Sequence, residues 1–129
     1  MASPEEKLQL AKEHLERVQG AWEPPDWAPL SLFGFYCLEA AVDAAALHVG
    51  IDLKASHWRR VDAAERLHAE HALPEIAELL EDLNATRKSE VYGDVPAPDL
   101  DAEDVVGAIE AYVDAVEELL AEREEEEAP

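Results

Sequence analysis

A chain of 129 residues with 31 Asp and Glu against 10 Lys and Arg carries a formal net charge of minus 21, a field that repels polyanions and disfavours general nucleic-acid binding through phosphate neutralisation. One domain is expected at this length, with roughly 65–70% of the unfolded chain's surface buried on folding. Cys37 is the single cysteine, so no intrachain disulfide can form, and nothing at the N-terminus reads as a signal sequence; the expectation is a cytoplasmic protein.

Taken in order, the chain reads as helices. SPEEKLQLAKEHLERVQ places Ser3 as N-cap, Pro4 at the first helical position and Glu6 three residues after the serine, with Leu8, Ala11, Leu15 and Val18 at helical spacing. GAWEPPDWAP breaks that helix, and Trp22 and Trp27 are expected to cover an end of the bundle. Asp26 is the expected N-cap of a second helix ending at Gly50. That helix is apolar on nearly every side, which suits the centre of a bundle, while Glu39, Asp43 and His48 put too much charge in it for a membrane span. Cys37 within it is expected to be an inert small hydrophobe.

Ser56 is placed to cap a third helix with Trp58, Val61, Ala64 and Leu67 on one face, ending near His71. Pro74 is expected to start a fourth, carried by Ile76, Leu79, Leu80 and Leu83 to about Tyr92 and stopped by Gly93. Asp101 caps the fifth, whose apolar stripe runs from Val105 through Ile109, Tyr112, Val116 and Leu120. No segment alternates with period two. The expected class is therefore all-α: an antiparallel four-helix bundle with an additional short helix, one domain over residues 1–122 and an acidic disordered tail over 123–129.

Charge is unevenly spread. Six of the ten basic residues lie between positions 54 and 88, where seven acids nearly balance them. Arg87 is the most unusual of these, because Ile76, Leu80 and Leu83 precede it by eleven, seven and four residues and share its stripe. A guanidinium facing the core must find carboxylates or carbonyls, since an unpaired buried charge costs several kcal/mol. Glu39 and Asp43, four apart on the most apolar helix, are the expected partners. Two readings stay open. One is a structural ion pair that fixes helix register; the other is a pocket or dimer cleft where Arg87, Lys88, Tyr92 and a second-helix carboxylate meet a phosphate-bearing ligand.

A buried helix FGFYCLEAAVDAAAL, then Ser56 and His57 at a helix start, then LPEIAELLEDLNATRKSEVYGD resembles the HEPN domain family, over roughly residues 3–120. The resemblance implies a bundle of four to five helices, homodimerisation, and a setting among partners of minimal nucleotidyltransferases and toxin–antitoxin-like systems. Toxin members of that family are metal-independent ribonucleases that use an arginine followed, after four to six residues, by a histidine. Here the arginine would be Arg87, and Tyr92, Gly93 and Asp94 occupy the three spacings, so the histidine is absent. RNA cleavage without a metal needs a group that moves a proton near neutral pH, as histidine does and an ordinary tyrosine rarely does. The resemblance therefore implies the non-ribonuclease branch: a non-catalytic binding or interaction module without a cofactor. The alternative is a ribonuclease with a nonstandard proton carrier, for which His57 is the candidate.

Metal binding is weighed on Glu65 and His68, a Glu-x-x-His with His71 one residue short of a further turn. A di-metal bundle needs a second such motif, and His14, His48 and His57 are preceded at that spacing by Ala11, Ala45 and Lys54. No metal site is expected.

Overall fold

The computed structural model describes residues 2–53, 57–93 and 98–127, with helical backbone alone at 57–59 and 123–127. It is an all-α, five-helix bundle: α1 (Pro4–Gln19), α2 (Trp27–Val49), α3 (His57–His71), α4 (Ala77–Tyr92) and α5 (Ala102–Glu127). Among the described residues there is no β-strand, only an isolated bridge between Trp22 and Pro25 in the α1–α2 turn.

Local chemistry sets most of the boundaries. The Ser3 side chain accepts a hydrogen bond from the Glu6 amide at 3.1 Å, and Pro4 supplies a first residue with no N–H to satisfy. Gly50 and Gly93 end α2 and α4 at φ of 83° and 75°, a left-handed conformation that other residues adopt at a cost. At the start of α5 the Asp101 carboxylate accepts from the Asp104 amide at 3.4 Å. The start of α4 differs from the expectation. Ile76 is non-helical, and the Glu75 carboxylate takes the amides of Ala77 and Glu78 at 2.8 and 3.4 Å, so the first-turn donors are satisfied from a residue after Pro74 and the helix begins at Ala77. At the other end of the chain the helical backbone of α5 runs through Glu127. Ser56, the expected cap of α3, lies outside the described residues.

Helix α2 occupies the centre and packs on all four others. By length and composition it could cross a membrane, yet 72% of its apolar window is buried inside the bundle. Its neighbours fix the directions. Lys7 meets Asp43 and Arg17 meets Phe33, so α1 and α2 are antiparallel. Gln19 meets Glu110 while Lys12 meets Glu117, which sets α5 antiparallel to α1. Trp27 lies beside Thr86 and Glu90, whereas Gly34 faces Leu83, so α4 runs opposite to α2. Helix α2 thus ends, and α4 begins, at the same end of the bundle, and the α3 segment leaves from and returns to that end.

Gly34 faces α4 and α5 at close quarters: a Cβ there would sit 3.1 Å from Ile109 Cδ1 and 3.4 Å from Leu83 Cδ1, so those side-chain ends would have to give by a few tenths of an ångström to admit one. The core around it is almost wholly aliphatic, with Leu30, Leu38, Leu67, Leu80, Leu83 and Ile109 fully buried. Trp22 and Trp27 pack half-buried against it.

The Tyr112 hydroxyl is the exception inside this core. The residue is 0% exposed, burial raises its proton affinity, and among the described residues nothing hydrogen-bonds its oxygen. A buried hydroxyl without a partner costs about 1–3 kcal/mol. Tyr112→Phe should therefore unfold at the same or a higher temperature; a loss of more than about 1 kcal/mol in urea denaturation would mean that the hydroxyl is bonded.

Candidate functional site

The two second-helix carboxylates and Arg87 do not meet. Arg60, in the first turn of α3, takes both acids: its Nε donates to Asp43 Oδ1 at 2.9 Å, Nη2 to Asp43 Oδ2 at 3.2 Å and Nη1 to Glu39 Oε2 at 3.1 Å. The fork geometry on Asp43 is bidentate, the strongest arrangement available to a guanidinium and a carboxylate. Lys7 Nζ approaches the same Asp43 at 3.7 Å from α1. Hydrogen bonding to Asp43 holds the Arg60 guanidinium above its ordinary proton affinity, against the opposing effect of burial. Asp43 is 6% exposed, and the pair joins α1, α2 and α3.

Arg87 is held differently. Its guanidinium lies over the Phe35 ring, 5.1 Å from the centroid, and Nη2 donates to Asn84 Oδ1 at 2.6 Å. Nε is buried and makes no hydrogen bond among the described residues. The pairing of Arg87 with Glu39 or Asp43 expected from the sequence is thus replaced by an aromatic face and an amide one turn earlier. The reason lies along α2. Phe35 is one turn before Glu39 and two before Asp43, and Arg87, late in a helix antiparallel to α2, comes level with Phe35, while Arg60 of α3 comes level with the later turns.

The remaining candidates scatter. Lys88 is exposed and Tyr92 is 70% exposed. Tyr92 stands five residues after Arg87 and therefore about 140° further round the helix, so the two do not share a face. The side chain of His57 and the whole of Asp94 lie outside the described residues. Of the weighed metal candidates, His68 Nδ1 lies 2.8 Å from the Leu73 carbonyl oxygen, tying the end of α3 to the turn before α4. No three His, Cys, Asp or Glu side chains converge on a cation site among the described residues.

Cys37 and His14 complete the polar inventory of the α1–α2 interface. Cys37 is fully buried, its Sγ lies 3.2 Å from the Ala11 carbonyl oxygen, and burial pushes its thiol up to about 12, which leaves no thiolate for chemistry at neutral pH. His14 stacks on Phe33 with ring centroids 6.0 Å apart and lies 5.8 Å from Tyr36. Burial and then the charge of Arg17 lower its proton affinity below the ordinary histidine value.

Arg60 is not among the partners expected from the sequence, although a signal is present: Arg60, Ala64 and Leu67 are spaced by four and three on α3, and the two apolar members are buried. Removing one partner of a buried pair leaves the other charge stranded, a loss of about 3–5 kcal/mol when fully buried and less here because the Arg60 side chain is 22% exposed. Arg60→Met should cost about 2–4 kcal/mol in urea denaturation, and Arg87→Met, which strands no carboxylate, about 1 kcal/mol or less. A larger loss for Arg87→Met than for Arg60→Met would contradict this assignment. No family model matches the chain, and neither a curated protein nor a solved structure shows a significant match to it.

Proposed function

We propose that the chain is a HEPN-like, non-catalytic interaction module and not a ribonuclease. One observation carries the reading: Arg87 commits its guanidinium inward, to Phe35 and Asn84, while Tyr92, where a ribonuclease histidine would stand, points away into solvent. RNA cleavage without a metal needs a group beside the arginine that moves a proton near neutral pH, and here a tyrosine stands in that place while the arginine faces the core. The net charge of minus 21 also opposes an RNA substrate.

A binding role draws on the same end of α4. Val91 and Tyr92, at 68% and 70%, are the most exposed large apolar side chains among the described residues, and exposed Lys88 stands beside them. An apolar pair with a cation at its edge suits contact with another protein, a second copy of this chain or a nucleotidyltransferase-type partner in the cytoplasm.

Incubation of single-stranded RNA with the purified chain and with Arg87→Ala tests the proposal. The RNA should remain intact in both, and the wild type should sediment as a dimer. RNA loss that the substitution abolishes would overturn the non-catalytic reading in favour of a ribonuclease with a nonstandard proton carrier.

A further inference from the structure

The outer face formed by α1 and α2 gathers aromatic and basic side chains on an acidic chain. Leu10 and Tyr36 are 38% and 39% exposed, and both border one shallow pocket with His14. The His14 ring lies 5.8 Å from Tyr36 and 6.0 Å from half-buried Phe33, over which the Arg17 guanidinium sits at 5.3 Å. Aromatic rings and an arginine are what the centres of protein interfaces concentrate.

Charge on this face is nearly balanced. Glu39 and Asp43 at its α2 edge already hold Arg60 and Lys7. On α1, Glu6, Leu10, Glu13 and Arg17 recur at spacings of four, three and four and share one stripe, with Lys7 and His14 beside it. These residues bring four acids and three bases together, counting His14 as neutral, whereas the whole chain carries minus 21. Lys12 and Gln19, which meet Glu117 and Glu110 of α5, lie on the opposite side of α1, so those carboxylates stand away from the face.

We propose that this face joins two copies of the chain in a two-fold dimer, the α1 helices crossing antiparallel at Leu10 with Tyr36 of each copy beside the crossing. The pattern of α1 is complementary to itself about that point. Lys7 and Glu13 each lie three residues from Leu10, about 4.5 Å along the axis, and Glu6 and His14 each lie four. An antiparallel copy therefore sets Lys7 against the partner's Glu13 and Glu6 against the partner's His14, and two-fold symmetry makes each pair twice. Lys7 keeps donors for this, since its contact with Asp43 is 3.7 Å long. A balanced face selects a second copy: a polycation is drawn to the carboxylates elsewhere on the chain, and a polyanion is repelled by the chain as a whole. The excess acid of both copies stays outside the contact, where salt screens it over a Debye length of about 8 Å. The inference rests on the interaction-module reading, names the surface of the dimer, and leaves Val91 and Tyr92 at the end of α4 for a different partner.

Two substitutions that change the net charge equally separate the matched face from general repulsion. Glu13→Lys puts a lysine against the partner's Lys7, while Glu118→Lys makes the same change at an exposed position of α5. Sedimentation equilibrium of the full chain should show a wild-type dimer whose dissociation constant rises at least about tenfold in Glu13→Lys and does not rise in Glu118→Lys. Repulsion alone predicts the opposite for Glu13→Lys, a tighter dimer. Leu10→Arg, which brings two like charges together at the crossing, should weaken the dimer in the same way, and it decides the matter should circular dichroism show that Glu13→Lys has not folded. A wild type that stays monomeric up to about 1 mM, or a dimer weakened no more by Glu13→Lys and Leu10→Arg than by Glu118→Lys, would overturn the proposal. Either result leaves the RNA test standing, because Arg87 has no part in this face.

Discussion

Asp43 is a carboxylate in the fifth turn of the most apolar helix, 6% exposed, and its neutralisation ties three helices together. An isolated ionised carboxylate in such a place would cost many kcal/mol, so partners must come from neighbouring elements. Arg60 comes from α3 with a two-pronged grip, Lys7 from α1 with a longer contact, and Glu39 shares the Arg60 guanidinium one turn earlier. Each contact is directional in a way that aliphatic packing is not. The network therefore sets the register of α1 and the placement of the first turn of α3 on a helix whose other faces would accept several arrangements. Gly34, earlier on the same helix, leaves room for Ile109 of α5 and Leu83 of α4 to pack close against the α2 backbone.

The position of Arg87 follows from that arrangement. The acids of α2 are engaged from the α1–α3 side, and Arg87, late in the antiparallel α4, comes level with the earlier turns of α2, where an aromatic ring is what α2 presents. An arginine over an aromatic face gains about 0.5–2 kcal/mol, depending on how far it is desolvated, and strands no partner when removed. The unbonded Nε is the residual cost of this placement. A guanidinium held so is a packing element with one donor left over.

Much of the fold could be read in advance because its signals are local. The Ser3–Pro4–Glu6 pattern, the all-round apolarity of α2, and Gly50 and Gly93 at helix ends each act within one turn of chain, and each does in the structure what its chemistry dictates. The start of α4 was harder, because proline reads as a first helical residue, yet the Glu75 side chain supplies the cap two residues before the helix begins. The charged pairing was legible only in kind. That a cation must answer Glu39 and Asp43 follows from burial alone; which cation depends on whether α3 or α4 brings its arginine level with the later turns of α2, a tertiary fact that no spacing encodes. Arg60 and Arg87 both lie on core-facing stripes, at equal standing in the sequence.

A pair of double-mutant cycles in urea tests most directly whether Arg60, and not Arg87, answers the buried carboxylate. With Asp43→Asn combined in turn with Arg60→Met and with Arg87→Met, the account predicts a coupling energy of about 1–3 kcal/mol for Asp43 with Arg60 and one within about 0.5 kcal/mol of zero for Asp43 with Arg87. A strong coupling of Asp43 to Arg87 together with none to Arg60 would contradict it.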